Sequence, residues 1–151
     1  MALAAMEHEN TEVRRLRDKL EAGILARVPH AFATGDVSNR LPNTSNIAFE
    51  YIEGEAILLL LNKFGIAASS GSACTSGSLE PSHVMRAMGI PYTAAHGTTR
   101  FSLSRYTTEE EIDRVIQVVP EIVAQLRKLS PYWGENGPSA QPEKDFAPVY
   151  A

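Results

Sequence analysis

Between Glu109 and Leu129 the apolar residues recur at helical spacing: Ile112, Val115, Ile116, Val119, Ile122, Val123 and Leu126 share one face. A stripe of that length must bury itself against a second apolar surface. Thr107 and Glu110 stand at capping-box spacing before it, and Glu109 and Glu111 add negative charge at the positive helix end. Pro120 predicts a bend near the middle. A second stripe, Val13, Leu16, Leu20, Ile24 and Val28, offers a partner surface, with Arg14, Arg15, Arg17, Asp18 and Glu21 on the rest of that helix. Thr99 to Ser104 alternates with a period of two, placing Phe101 and Leu103 on one side and Arg100, Ser102 and Ser104 on the other. The two periods together predict a small sheet layered with helices, compact from about residue 10 to 129.

The connecting segments fill in this frame. Pro29, Gly35 and Asp36 break the first helix, and Ile47, Phe49 and Tyr51 alternate as in a half-buried strand. Glu55 to Phe64 is apolar almost all round, which predicts a buried helix ended by Gly65, followed by a short strand at Ile66 to Ala68. Ser69 to Pro81 reads as a loop of small residues, with Ser82 capping a short helix, His83 to Met88, that stops at Gly89 and Pro91. From Ser130 onward Pro131, Pro138, Pro142 and Pro148 interrupt any apolar period, predicting a disordered or loosely docked tail over 130–151. Ala2 to Met6 are strong helix formers with no cap before them. That feature fits either a frayed terminus or the end of a longer helix.

Composition narrows the function. Fourteen basic against eighteen acidic residues give a formal charge of −4, which offers no cationic footprint for nucleic acid or anionic lipid. The longest apolar run, Ala56 to Leu61, falls far short of the about 20 residues that cross a bilayer, and no signal peptide is visible. A single cysteine excludes an internal disulfide and any zinc site of several thiolates. A reducing, cytoplasmic setting is expected.

That cysteine carries the chemistry. Every residue within four positions of Cys74 is Gly, Ala, Ser or Thr, with Gly71 and Gly77 on either side. Such a segment suits an exposed, mobile loop that presents a thiol. The thiolate is the nucleophile, yet no basic residue lies beside Cys74 in sequence to lower its pKa. His83 and His96 are available as partners, although a lone histidine is more often structural.

Ser69-Ser-Gly-Ser-Ala-Cys-Thr-Ser-Gly-Ser-Leu-Glu-Pro-Ser-His83 resembles the active-site loop of group I cysteine desulfurases of the nitrogen-fixation (NifS) type. Arg100 to Asp113 resembles the strand and helix that follow it, and Asn39 to Asn43, Asn46 and Tyr51 to Glu55 match the earlier part of the pattern. The resemblance extends over nearly the whole chain. It implies the small C-terminal domain of the pyridoxal-phosphate-dependent aspartate-aminotransferase fold (fold type I), with the first helix ending the interdomain helix. It also implies an enzyme that converts L-cysteine to L-alanine, with Cys74 as the catalytic nucleophile holding the sulfur as a persulfide for an iron–sulfur scaffold protein. Arg100 would bind the substrate carboxylate. The family is homodimeric, and the resemblance implies no resident metal, Cys74 being at most a transient iron–sulfur ligand shared with a scaffold.

Members of that family are more than twice this length, and the resemblance implies that the cofactor domain with its Schiff-base lysine is missing here. Lys19 and Lys128 lie on charged helix faces, Lys63 precedes Gly65, and Lys144 sits among prolines. The chain alone is therefore expected to form no internal aldimine and to be inactive. A non-catalytic module that carries a persulfide, or binds a scaffold or the missing half, is the alternative. A rhodanese-like sulfurtransferase is poorly matched, because no Arg or Lys follows Cys74 within six positions.

Overall fold

The computed structural model describes residues 2–70 and 83–139. Helix α1 (Ala2–His8) passes through a π-helical stretch, Glu9–Val13, into α2 (Arg14–Leu25). Strands β1 (Ala31–Ala33) and β2 (Thr44–Phe49) follow, then helix α3 (Gly54–Lys63) and strand β3 (Ser69–Ser70). Beyond the undescribed segment come α4 (His83–Ala87), α5 (Tyr92–Ala95), β4 (Thr98–Ser102) and the long α6 (Glu109–Leu129). A two-stranded hairpin, β5 (Trp133–Gly134) and β6 (Gly137–Pro138), closes the described part.

The main sheet is antiparallel throughout, in the order β1-β2-β4-β3. Opposed residues share a face, so the pairs Ile47–Thr99 and Ser45–Phe101 look one way and Asn46–Arg100 and Ala48–Thr98 the other. The first face meets the helices. Val13, Leu16, Leu20 and Ile24 of the first stripe and Ile112, Ile116, Val119, Ile122 and Val123 of the last are all buried with Ile47, Phe49, Phe101 and Leu103 in one core. Among the described residues the second face is covered at one end only, where Thr93, Ala94 and Ala95 of α5 are buried along with Ala48 and Thr98. Beyond that cover, Arg100 and Ser102 are exposed.

The expected period of β4 is observed, with Phe101 and Leu103 buried and Arg100, Ser102 and Ser104 exposed. Several expectations need correction. The alternation through Tyr51 breaks after Phe49, because Tyr51 takes a left-handed conformation (φ 68°) and turns the chain into α3. Helix α3 is not buried all round: Ile57 and Leu61 face the core, while Leu59 is 69% exposed. Gly65 ends it with φ 71°, as its missing Cβ allows. The strand expected at 66–68 forms instead just beyond it, at Ser69–Ser70. The capping box is shifted by one residue. Thr108 accepts from Glu111 N while Thr108 N donates to Glu111 Oε2, and Thr107 instead accepts from Ser104 N. Helix α6 contains Pro120 within its span.

Residues 130–139 hold a hairpin that docks through Trp133. The cation of Arg127 lies 4.1 Å from the Trp133 ring centre, and its guanidinium donates to the main-chain oxygens of Pro29 (2.7 Å) and His30 (2.9 Å). Burial lowers the Arg127 pKa to about 10, which leaves it charged at neutral pH. Residues 140–151 of the expected tail lie outside the described residues.

One core hydroxyl has no partner. Thr99 Oγ1 is buried and meets no donor or acceptor among the described residues. Valine keeps the shape and removes the desolvated group, so Thr99→Val is expected to raise stability by about 1 kcal/mol. A rise in the denaturation midpoint checks this. A lower midpoint would mean that the hydroxyl is satisfied.

Candidate functional site

Arg100 sits on an inner strand, on the sheet face that the described residues leave uncovered there. Its neighbours across the two ladders are Asn46 on β2 and Ser69 on β3. The side chain is exposed, and its guanidinium makes no hydrogen bond or ion pair with the described residues. A planar cation with five donors, fixed at its base by a strand paired on both sides, is suited to hold a carboxylate through two parallel hydrogen bonds.

The segment that contains Cys74 leaves the sheet from β3, directly beside Arg100, and the described chain resumes at His83. Cys74 and the expected mobility of its loop lie outside the described residues. The topology therefore places one attachment of the cysteine segment next to Arg100 and leaves the thiol's own position open.

The approach to β2 is pinned by two side chains of α2 that the sequence pattern assigned to solvent. Arg17 is only 4% exposed, and its Nη1 donates to Leu41 O at 3.1 Å and Thr44 O at 3.4 Å. Glu21 accepts both terminal nitrogens of Arg40, at 2.6 and 2.7 Å, and the hydroxyl of Ser45 at 2.6 Å. Burial alone would raise the Glu21 pKa, but the bonds from Arg40 and Ser45 outweigh it and hold the carboxyl below its usual value. These bonds hold the 40–45 segment, and with it the entry into β2 and Asn46.

The remaining titratable candidates are placed elsewhere. His83 opens α4 and is exposed. His96 caps α5, stacks edge-on against Tyr92 at 5.1 Å and lines a cavity of about 230 Å³ with Tyr51, Leu126 and Tyr132. Lys19 donates to Asp113 and Glu109, both at 2.6 Å. Those bonds, Asp113 first, raise its pKa and keep the amine protonated. The same cluster, through Arg15 and then Lys19, pushes Glu109 down to about 2. Lys63 and Lys128 are exposed on α3 and α6, and Lys144 lies outside the described residues. Among the described residues no group of His, Cys, Asp and Glu could hold a metal, and no helix is long and apolar enough to cross a membrane.

Comparison with known proteins adds four findings. The aminotransferase class-V family model matches residues 1–115. The chain is 85% identical over 149 residues to a cysteine desulfurase of Azotobacter chroococcum mcd 1, covering 99% of this chain and 38% of that protein. It is 84% identical over 149 residues to the cysteine desulfurase NifS of Azotobacter vinelandii, covering 99% of this chain and 37% of that one. A solved structure of a NifS-like protein superposes with a TM-score of 0.70 at 30% identity, over 83% of this chain and 31% of its own. The chain thus spans little more than a third of the length of the curated relatives it matches.

Proposed function

Because this chain belongs to the aminotransferase class-V family, we propose that it forms the sulfur-accepting part of a cysteine desulfurase acting on L-cysteine. In this reading residues 1–129 make up the C-terminal, smaller domain, with α1 and α2 belonging to the helix that joins two domains, and 130–151 follow as a tail. The observation that carries it is Arg100: an exposed guanidinium without a partner among the described residues, beside the strand from which the cysteine segment leaves.

Arg100 binds and orients the substrate carboxylate. Three residues separate Ser70 from Cys74, so the length of chain lets the thiol reach a carboxylate held at Arg100, within about 14 Å of Ser70. The Cys74 thiolate takes the substrate sulfur: a sulfur–sulfur bond forms, the substrate carbon–sulfur bond breaks, and its electron pair stays with the carbon fragment, which gains a proton to become alanine. The persulfide then passes to an external acceptor such as an iron–sulfur scaffold. A cytoplasmic, reducing setting and a homodimer accompany this reading.

The described lysines do not suit pyridoxal phosphate. An amine must be unprotonated to form a Schiff base, whereas Lys19 is held protonated by two carboxylates and Lys63 and Lys128 stand on the surface. Among the described residues no lysine is suited to hold the cofactor, so the described part alone is expected to be inactive. The same observation favours a second reading, in which the chain acts alone as a persulfide-carrying or scaffold-binding module.

The test is a full-length enzyme in which this chain replaces the 149 matching residues of the Azotobacter vinelandii relative. There Arg100→Ala is expected to raise KM for L-cysteine about 10- to 100-fold, the loss of a charge-assisted pair. An unchanged KM would contradict the assignment.

A further inference from the structure

On the open face of the sheet one strong acceptor has no donor. Asn46 Oδ1 is buried and meets no hydrogen-bond partner among the described residues. The other end of the same amide is fixed. Asn46 Nδ2 donates to Thr34 Oγ1 at 2.6 Å, the Thr34 hydroxyl donates to Asn46 O at 3.3 Å, and Thr34 N donates to that same oxygen at 2.9 Å. Thr34 is itself buried, so this arrangement sets which way round the amide stands. A buried carbonyl left without a donor is costly, and each such group calls for a physical reason.

The geometry supplies one candidate donor of the right chemistry. Asn46 is directly opposite Arg100 in the β2–β4 ladder, so both project from one face with Cβ atoms about 4.5–5.5 Å apart. The nearby hydroxyls are directed elsewhere: Ser69 donates to Ser70 O at 3.5 Å and Thr44 to Asn43 Oδ1 at 3.1 Å. A guanidinium that gives two N–H groups to a carboxylate still has three to place.

We propose that Asn46 is a positioning residue for Arg100, its amide oxygen accepting a guanidinium N–H when a substrate carboxylate is bound and so holding the fork in the plane that bidentate pairing needs. The proposal rests on reading Arg100 as the carboxylate anchor. A neutral oxygen is suited to this task because it orients the cation without neutralising it. A carboxylate at the same position would compete with the substrate.

In the full-length enzyme carrying this chain, Asn46→Ala is expected to raise KM for L-cysteine about tenfold with kcat within about threefold. Asn46→Asp, of the same shape, should raise KM further, to about 100-fold, by pairing with Arg100. In an Arg100→Ala background the Asn46→Ala change should alter KM less than about twofold, because the group it positions is gone. Equal KM increases with and without Arg100 would reveal a merely structural effect and overturn the proposal. So would an unchanged KM for Asn46→Ala beside a raised one for Arg100→Ala, which leaves the anchor reading standing. An unchanged KM for Arg100→Ala removes the anchor reading and this proposal with it.

Discussion

Alanine at position 97 is expected to leave little folded protein. A Cβ built on Gly97 would stand 2.0 Å from Phe49 O, 2.8 Å from Ile52 O and 3.1 Å from Phe49 C. All three are main-chain atoms, so no side-chain rotation relieves the clash. Neither strand of the contact is free to withdraw. Phe49 N donates to Gly97 O at 3.1 Å, Gly97 N donates to Ala94 O at 3.0 Å, and Gly54 N donates to His96 O at 2.8 Å. Position 97 is thus where α5 docks onto the end of β2 and the start of α3, and the close approach, not a special φ, demands glycine. Opening it would strip those bonds and displace Phe49 from the core. A loss above about 4 kcal/mol is expected, a large share of the roughly 5–15 kcal/mol that keeps a domain folded. Soluble yield and thermal unfolding followed by circular dichroism read the effect directly. A melting temperature within a few degrees of the parent would contradict the packing at this point.

The parts of the fold that could be read from sequence are those where burial follows a simple period. The α6 stripe and the alternation from Thr99 to Ser104 were legible because their core-facing sides meet one apolar environment along their length. Where one element meets two environments, the pattern misleads. Helix α3 is apolar on sides that the described residues do not cover, so Leu59 reads as core and is exposed. Arg17 shows the converse. It follows Val13 by four positions and precedes Leu20 by three, which places it on the apolar stripe, but its charge suggested solvent. It is buried because the carbonyls of Leu41 and Thr44 need donors. That spacing was the available signal. The choice between Thr107 and Thr108 as cap could not be made from residue types, since both precede a glutamate at the right distance.

Less of the candidate site was legible. Arg100 could be placed on a strand face by alternation alone, and its exposure follows. Its neighbours depend on pairing between strands far apart in sequence, so Asn46 and Ser69 become neighbours of Arg100 only once the β2–β4–β3 order is known. The docking of 130–139 was hidden for a similar reason. The prolines suggested a tail, while Trp133 is held by Arg127 and stands 5.4 Å from the His30 ring, a contact set by tertiary packing.

The largest expected effect on chemistry belongs to Cys74. A serine hydroxyl is far less ionised and less nucleophilic than a thiol, and it cannot hold sulfur as a persulfide. In the full-length enzyme carrying this chain, Cys74→Ser is expected to lower alanine formation from L-cysteine at least about a thousandfold. Substrate affinity should change little, because Arg100 remains in place. The two replacements thus separate the roles: Arg100→Ala moves KM, and Cys74→Ser removes turnover. The most direct measurement is peptide mass spectrometry of the enzyme after one turnover with L-cysteine and no acceptor thiol. The account predicts one added sulfur atom on the peptide that contains Cys74, and none anywhere after Cys74→Ser. Sulfur released at the parent rate by the Cys74→Ser enzyme, or found on a cysteine outside this chain while Cys74 stays unmodified, would contradict it.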